Sequence, residues 1–218
     1  MAALPPGQAQ LQQGIAGLKL QLPENAVAQL LRYLDELTRW NSAYNLTAIR
    51  VPSEMITKHL LDSLAVLPVL ERQLQEPSAR VLDVGSGGGM PGIPLAIARP
   101  DWHFTLLDSN GKKARFLRHV VRQLSLSNVE VAECRVEAHE PAQGYELIVS
   151  RAFAALADFF TTTRHLLAPG GVWVAMKGKL DPDELAAVPA AITVRETPAL
   201  RVPGLQDERH AVIAGSSS

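Results

Sequence analysis

The fold of this chain is decided by one segment, Val81-Leu82-Asp83-Val84-Gly85-Ser86-Gly87-Gly88-Gly89-Met90-Pro91-Gly92. The apolar residues at its start predict a buried strand, and the glycines that follow predict a tight turn. Pro91 suits the first turn of a helix, because the N–H that it lacks would have no helical partner there. A strand, a glycine-rich turn and a helix in this order are typical of the ligand-binding edge of a Rossmann-like sheet.

Short apolar runs and helical repeats alternate around this segment, as a series of βαβ units requires. We predict strands at residues 80–84, 103–107, 129–132, 147–149, 172–176, 191–194 and 210–214, and helices at residues 25–40, 52–70, 91–98, 111–124, 155–167 and 182–188. The last two strands are joined by a segment with Pro198, Pro203 and Gly204 but no helical repeat, which favours a hairpin. The sequence therefore predicts an α/β fold with a seven-stranded, mostly parallel sheet whose last strand is antiparallel.

The chain length of 218 residues suits one hydrophobic core with a small extension. Apolar residues repeat at helical spacing from residue 27 to residue 37, and Ser53 is the expected cap of the next helix. We expect residues 1–78 to form an N-terminal helical extension and residues 79–218 to form the α/β core, packed as one compact unit. Residues 1–13 are expected to be frayed, and residues 215–218 to form a polar tail.

Composition excludes several classes of protein. No apolar run approaches the roughly 18 residues needed to span a bilayer, and the first residues lack the pattern of a secretory signal. The single cysteine, Cys134, excludes an internal disulfide and a cysteine-clustered zinc site. We therefore expect a cytoplasmic protein without a metal site or a membrane partner. The net charge of −1 offers no general attraction to nucleic acid, so any affinity for RNA requires a local basic patch.

The glycine turn by itself leaves its ligand open. Gly87, Gly89 and Gly92 also fit the G-x-G-x-x-G pattern of dinucleotide-binding proteins. Asp83, two residues before Gly85, favours the positively charged methionine part of S-adenosylmethionine, because a carboxylate there would repel a pyrophosphate.

Two later segments extend the expected cofactor site. Asp108 follows the second strand and is expected to bind both ribose hydroxyls, a feature that NAD enzymes share. Val136-Glu137 follows the third strand, where an adenine ring would meet one apolar and one polar side chain. We expect S-adenosylmethionine, while an NAD-dependent oxidoreductase and a structural turn without a ligand remain alternatives.

Basic residues recur every three or four positions in the helix predicted after Asp108. They are Lys112, Arg115, Arg118, His119 and Arg122. Together with Lys177 and Lys179, which follow the fifth strand, they are candidates for RNA binding, and a solvated helix face is the alternative.

Several motifs together resemble the ribosomal RNA small subunit methyltransferase G family, also called glucose-inhibited division protein B, over about residues 25–214. These motifs are Asn45-Leu46-Thr47-Ala48-Ile49, His59-Leu60-Leu61-Asp62-Ser63-Leu64, residues 83–94, Asp108-Ser109 with Lys112-Lys113 and Arg115-Phe116-Leu117, Ser150-Arg151-Ala152, and Pro169-Gly170-Gly171. The first two motifs are much more specific to the family than the glycine turn.

The resemblance implies a class I methyltransferase that uses S-adenosylmethionine to methylate N7 of guanosine 527 in 16S ribosomal RNA, within the 30S subunit or its precursor. It places cofactor contacts at Gly85, Met90, Val136, Glu137 and Arg151. We expect a monomer, and a small-molecule methyltransferase remains an alternative because the net charge is near zero.

The expected reaction requires no catalytic acid or base. Guanine N7 carries a free lone pair, so transfer can depend on alignment of the acceptor with the methyl group. His59 and Asp62, at i, i+3 on one helix, and Asn45 are therefore candidates for positioning the target base, with local hydrogen bonding as the alternative. Cys134, just after the third strand, is expected to be an inert packing residue.

Overall fold

The computed structural model describes residues 7–74, 77–151, 153 and 155–217. Its helices are α1 Gln8–Gly17, α2 Ala26–Tyr44, α3 Pro52–Met55, α4 Asp62–Ala65, α5 Leu67–Gln73, α6 Gly92–Ala98, α7 Gly111–Gln123, α8 Leu156–Thr163 and α9 Pro182–Ala186. Its strands are β1 Arg80–Val84, β2 His103–Leu107, β3 Val129–Ala132, β4 Tyr145–Ser150, β5 Leu167–Lys177, β6 Ile192–Glu196 and β7 His210–Ser216. A π-helix, Ile56–Leu61, joins α3 to α4, and 3₁₀ turns occur at Val136–Ala138 and Arg164–Leu166.

Within the described residues the strands form one seven-stranded sheet in the order β3-β2-β1-β4-β5-β7-β6. The first five strands run parallel, whereas β7 is antiparallel to both β5 and β6. The prediction of a mostly parallel sheet with an antiparallel last strand is confirmed. The strand order changes direction between β1 and β4, and ligands of doubly wound sheets bind at the carboxyl ends of the strands next to this point.

Side chains alternate between two hydrophobic clusters on the two faces of the sheet. Val81 belongs to the cluster under α2, α6 and α7, while Leu82 belongs to the cluster under α8. Leu147 and Ile148 divide in the same way along β4. Burial on both faces explains why the strands are apolar runs without an apolar/polar alternation.

The N-terminal helices pack on the same face as α6 and α7. Leu30 and Leu37 of α2 are fully buried in the cluster that contains Val81 and Phe104. The helices before residue 78 therefore share a hydrophobic core with the sheet. Whether residues 1–78 and 79–218 are separate units stays a prediction.

Three details near the start differ from the sequence predictions. Helix α1 occupies Gln8–Gly17, part of which was expected to be frayed, and residues 1–6 lie outside the described part. Ser53 is not a cap, because Val51 holds that position and Pro52 is the first helical residue. The helix predicted at residues 52–70 is interrupted by the π-helix Ile56–Leu61 and continues as two short helices.

The fifth strand begins earlier than predicted. The helix predicted at residues 155–167 ends at Thr163, and β5 begins at Leu167 instead of residue 172. Pro169 and Gly170 suggest a loop in the sequence, but the register between β4 and β5 shifts at Tyr145 and Leu147, so the strand accommodates them at an irregularity. No helix among the described residues has the length and apolar character needed to cross a membrane.

Candidate functional site

The glycine turn lies at the carboxyl end of β1. Its first residues are fixed to β2, since the N–H groups of Gly85 and Ser86 both donate to the Leu107 carbonyl oxygen, at 2.8 and 3.1 Å. Gly87 has a φ of 58°, and a Cβ added there would meet only the Gly85 carbonyl oxygen at 3.8 Å, in otherwise open space. A ligand can therefore approach the backbone at Gly87 more closely than any side chain would permit.

Asp83 lies under the turn and is fully buried. Its Oδ2 accepts a 2.9 Å hydrogen bond from the Gly92 N–H, while its Oδ1 has no partner among the described residues. Burial raises the pKa of Asp83 to about 7, although the hydrogen bonds from Gly92 and Ser86 and the nearby Arg151 oppose this rise. A buried carboxylate oxygen without a donor costs free energy, so the site suits a cationic group that would restore its ionised form.

Asp108 connects the turn to the end of β2. Its Oδ2 accepts from the Gly87 N–H at 2.9 Å, its Oδ1 accepts from the Asn110 N–H at 2.8 Å, and Lys113 Nζ lies 3.8 Å from Oδ2. Each carboxylate oxygen can accept more than one hydrogen bond, so these contacts leave capacity for a hydroxyl donor. Asp108 is therefore held at the place where the sequence predicted a ribose contact.

The other predicted cofactor residues lie around the same edge. Val136 is partly buried and Glu137 is exposed, in the 3₁₀ turn that follows β3. Gly89 belongs to the turn, with a φ of 94°, and Met90 is buried directly after it. Their roles toward a cofactor stay predictions.

A tyrosine of α2 holds the glycine turn from the opposite side. The fully buried Tyr33 hydroxyl donates to the Gly88 carbonyl oxygen at 2.5 Å. Burial raises the pKa of this hydroxyl, so it stays protonated and remains a donor. The N-terminal helices thus contact the glycine turn through a specific hydrogen bond as well as through apolar packing.

A second cleft, of ≈ 420 Å³, opens beside the turn at the carboxyl ends of β4 and β5. It is lined by Ile49, Lys58, His59, Asp62, Arg151, Met176, Lys177, Gly178 and Arg209. Asp62 is buried between two arginines, with Oδ2 at 3.0 Å from Arg151 Nη1 and Oδ1 at 2.9 Å from Arg209 Nε. Arg151 also reaches the Lys58 carbonyl oxygen and, through Nη2, the Met90 sulfur at 3.4 Å. Arg151 therefore lies between the glycine turn and this cleft.

His59 is neutral and its ring nitrogens are both engaged. Its Nε2 lies 2.9 Å from Thr47 Oγ1, and its Nδ1 lies 3.1 Å from the Lys58 carbonyl oxygen, which can only accept. Nδ1 therefore carries the proton, and Nε2 accepts from the Thr47 hydroxyl. Burial lowers the pKa of His59 to about 4, and the charge of Arg151 lowers it further.

The remaining candidates are spread over the surface. Asn45 is exposed at the end of α2 in a left-handed conformation, where its Oδ1 accepts from Arg50 at 3.0 Å. Lys112, Arg115, Arg118 and Arg122 lie along α7, outside both clefts described so far. Lys177 ends β5 with Nζ 2.6 Å from Glu184 Oε1, and Lys179 is exposed just beyond it. Ala152, in the third of the family motifs, lies outside the described residues.

Cys134 is partly buried after β3, with Sγ 3.9 Å from His139 Nδ1. The described residues contain no cluster of three or more His, Cys, Asp and Glu side chains that could hold a metal ion.

Two residues of the site were missed from the sequence. Tyr33 lies among Leu30, Leu34 and Leu37 on the apolar face of α2, so the pattern indicates only packing. Arg209 precedes β7 directly, and an antiparallel last strand begins at the edge where the parallel strands end. The predicted hairpin could therefore have placed Arg209 beside the site.

The comparisons with known proteins agree with this geometry. The profile of the family described as rRNA small subunit methyltransferase G matches residues 26–212. Ribosomal RNA small subunit methyltransferase G of Chromobacterium violaceum is 52% identical over 204 residues, which are 94% of this chain and 95% of that protein. The protein of the same name from Laribacter hongkongensis is 50% identical over 206 residues, 94% of this chain and 97% of its own length.

A solved structure shares the fold at low sequence identity. The glycopeptide N-methyltransferase MtfA superposes with a TM-score of 0.60 at 12% identity, over 73% of this chain and 91% of its own. The seven-stranded sheet with its antiparallel last strand is therefore the fold of class I methyltransferases.

Proposed function

The chain belongs to the rRNA small subunit methyltransferase G family, and on that premise we propose that it transfers a methyl group from S-adenosylmethionine to N7 of guanosine 527 in 16S ribosomal RNA. The observation that carries the proposal is the position of Arg151, which lies between the glycine turn and a basic cleft at the same sheet edge. A cofactor on the turn and an acceptor in the cleft would be adjacent.

The residues of the turn fit the proposed cofactor. Asp108 would accept from the ribose hydroxyls, and the unpartnered Oδ1 of Asp83 would face positive charge better than phosphate. Val136 and Glu137 would flank the adenine, while Gly85, Gly87, Gly89, Met90 and Arg151 would contact the methionine part. When bound, S-adenosylmethionine supplies a methyl group attached to a positively charged sulfur.

The second cleft suits an acceptor that keeps its own lone pair. Asp62 is occupied by two arginines and His59 is neutral with both nitrogens engaged, so neither is poised to remove a proton. Guanine N7 needs no deprotonation before transfer. Asp62 and His59 would then shape the cleft and orient the base, and the chain would contribute alignment.

The charge of the second cleft supports an RNA acceptor. Lys58, Arg151, Lys177 and Arg209 line it with one carboxylate, Asp62, although Glu54 and Glu184 pair with the two lysines. This provides locally the positive charge that the whole chain lacks. Lys177 and Lys179 belong to the proposed RNA surface. We further propose that the chain acts as a monomer in the cytoplasm, on the 30S subunit or its precursor.

The test is a methyl-transfer assay with methyl-labelled S-adenosylmethionine and unmodified 16S RNA, presented both as a transcript and within 30S particles. We expect label at N7 of guanosine 527 alone, located by mass spectrometry of nuclease fragments. Label at another atom or nucleotide would contradict the position, and label in small metabolites but not in RNA would contradict the substrate class.

A further inference from the structure

A third cleft, of ≈ 400 Å³, runs between α2 and α7 on the flank of the molecule. It is lined by Trp40, Gly111, Arg115, Arg118, His119, Arg122 and Glu133. We call it the α2–α7 groove. None of its residues lines the second cleft, so it is a surface separate from the acceptor site.

The α2–α7 groove concentrates positive charge. Three arginines line it with one carboxylate, Glu133, which pairs with Arg118 at 2.6 Å. Arg115 and Arg122 are exposed and form no ion pair with any residue that the structure describes. They lie seven positions apart on one helix face, which separates them by about 10 Å along α7. A row of unpaired guanidinium groups with this spacing suits an extended polyanion better than a single small anion.

The wall of the groove opposite these arginines is aromatic. The Trp40 ring lies 4.9 Å from the His119 ring and 5.2 Å from the Tyr44 ring, with Tyr44 stacked at 27°. His119 is held by Glu36 through a 2.8 Å contact from Nε2. Proteins that bind single-stranded RNA combine such aromatic surfaces with cations that follow the phosphates.

We propose that the α2–α7 groove binds a single-stranded stretch of 16S ribosomal RNA that flanks the methylated guanosine. Phosphates contact Arg115 and Arg122, and a base or ribose packs against Trp40. This inference rests on the proposed function, because it assigns a second contact for the same RNA. It also accounts for RNA binding by a chain whose net charge is −1.

The experiment compares the double variant Arg115→Gln/Arg122→Gln with a matched control, Arg72→Gln/Arg164→Gln. Each removes two exposed arginines, but Arg72 and Arg164 lie at the opposite, amino-terminal edge of the sheet. Binding of an unmodified 16S transcript is measured by filter retention over a KCl series. Calorimetry with S-adenosylmethionine is run on the same preparations.

We expect the groove variant to bind the transcript about tenfold more weakly than wild type. Its dependence of log Kobs on log salt should be less steep by about 1.4, or about 0.7 for each lost phosphate contact on a single strand. Its affinity for S-adenosylmethionine should be unchanged, and the control should match wild type in both assays. Trp40→Leu should weaken RNA binding without changing the salt slope.

The failures of the two proposals are distinguishable. If the groove variant keeps the wild-type affinity and salt slope while RNA methylation persists, the groove inference is wrong and the proposed function stands. If wild type neither binds nor methylates the transcript or the 30S particle, both are wrong.

Discussion

The Tyr33 hydroxyl and the Gly88 carbonyl oxygen are joined by a 2.5 Å hydrogen bond that links the N-terminal helices to the glycine turn. The donor is fully buried on α2, 55 residues before its acceptor. The turn is held from below by Asp83 and from the side by Asp108, and Tyr33 provides a third attachment. The helical extension is therefore part of the proposed cofactor site.

Tyr33→Phe should weaken the turn without leaving a large cavity. The loss of one buried hydrogen bond leaves the Gly88 carbonyl unpaired, so we expect the free energy of unfolding to fall by about 1–2 kcal/mol. The Kd for S-adenosylmethionine should rise severalfold, as measured by calorimetry. Tyr44→Phe is the matched control, since the Tyr44 hydroxyl has no hydrogen-bond partner among the described residues. Equal effects of the two substitutions would refute a specific role for Tyr33.

Asp62→Ala should destabilise the second cleft strongly. It leaves Arg151 and Arg209, each about three-quarters buried in its side chain, without their shared carboxylate. Because a broken buried ion pair leaves uncompensated charge, we expect a loss of about 3 kcal/mol in urea unfolding, with a lower kcat for RNA methylation. Asp35→Ala, at an exposed position of α2, should change neither quantity by much. A near-wild-type stability for Asp62→Ala would show that the two arginines do not depend on this carboxylate.

Binding of S-adenosylmethionine should depend on pH through Asp83. Its pKa of about 7 in the free protein means that near neutral pH part of the population carries a protonated carboxyl. A cationic ligand favours the ionised form, so affinity should rise as the pH increases through about 7, with release of a proton. Calorimetry in two buffers of different ionisation enthalpy measures that release. Asp83→Asn should bind more weakly and lose this part of the pH dependence; an unaltered dependence would assign it to another group.

The same raised pKa has a consequence for folding. The folded state binds the Asp83 proton more tightly than the unfolded state, whose value is near 3.8. The contribution of Asp83 to stability is therefore complete below about pH 3.8 and is lost as the pH rises through about 7. Urea unfolding across this range should show a smaller decline in Asp83→Asn than in wild type. A decline of equal size in the two proteins would contradict the assignment.

His59 should act on stability in the opposite direction of pH. Its folded pKa of about 4 lies below the unfolded value of 6.5, so the unfolded state binds the additional proton first. We expect the free energy of unfolding to fall by about 2 kcal/mol between pH 7 and pH 5 on account of His59. His59→Gln should lack this decline, whereas His103→Gln, at an exposed position, should retain it. A full decline in His59→Gln would indicate that other groups cause it.

Periodicity predicted the parts of the fold that local pattern determines. The strands β1, β2 and β3 lie where their apolar runs predicted them, and the glycine turn follows β1 as expected. Helix α1 escaped prediction because its buried face includes Gly14. A Cβ at Gly14 would lie 2.3 Å from Leu61, so this close contact uses the absence of a side chain and adds nothing to a hydrophobic repeat.

Tertiary contacts explain the features of the site that the sequence did not predict. The π-helix that carries His59 depends on its packing against α1 and α3, and no residue type marks it in advance. Asp62 and Arg209 are 147 positions apart and meet only because β7 returns antiparallel to the edge where β5 ends. Motifs predicted which residues gather at that edge, but the pairing of charges within it required the folded chain.

Calorimetric titration of the purified chain with S-adenosylmethionine, S-adenosylhomocysteine and NAD tests the cofactor site most directly. We expect one molecule of S-adenosylmethionine or its demethylated product to bind per chain, NAD to give no heat, and Asp108→Ala to abolish binding. Heat from NAD alone, or no heat from either sulfur compound with a folded chain, would contradict the assignment of the glycine turn to a methyl donor.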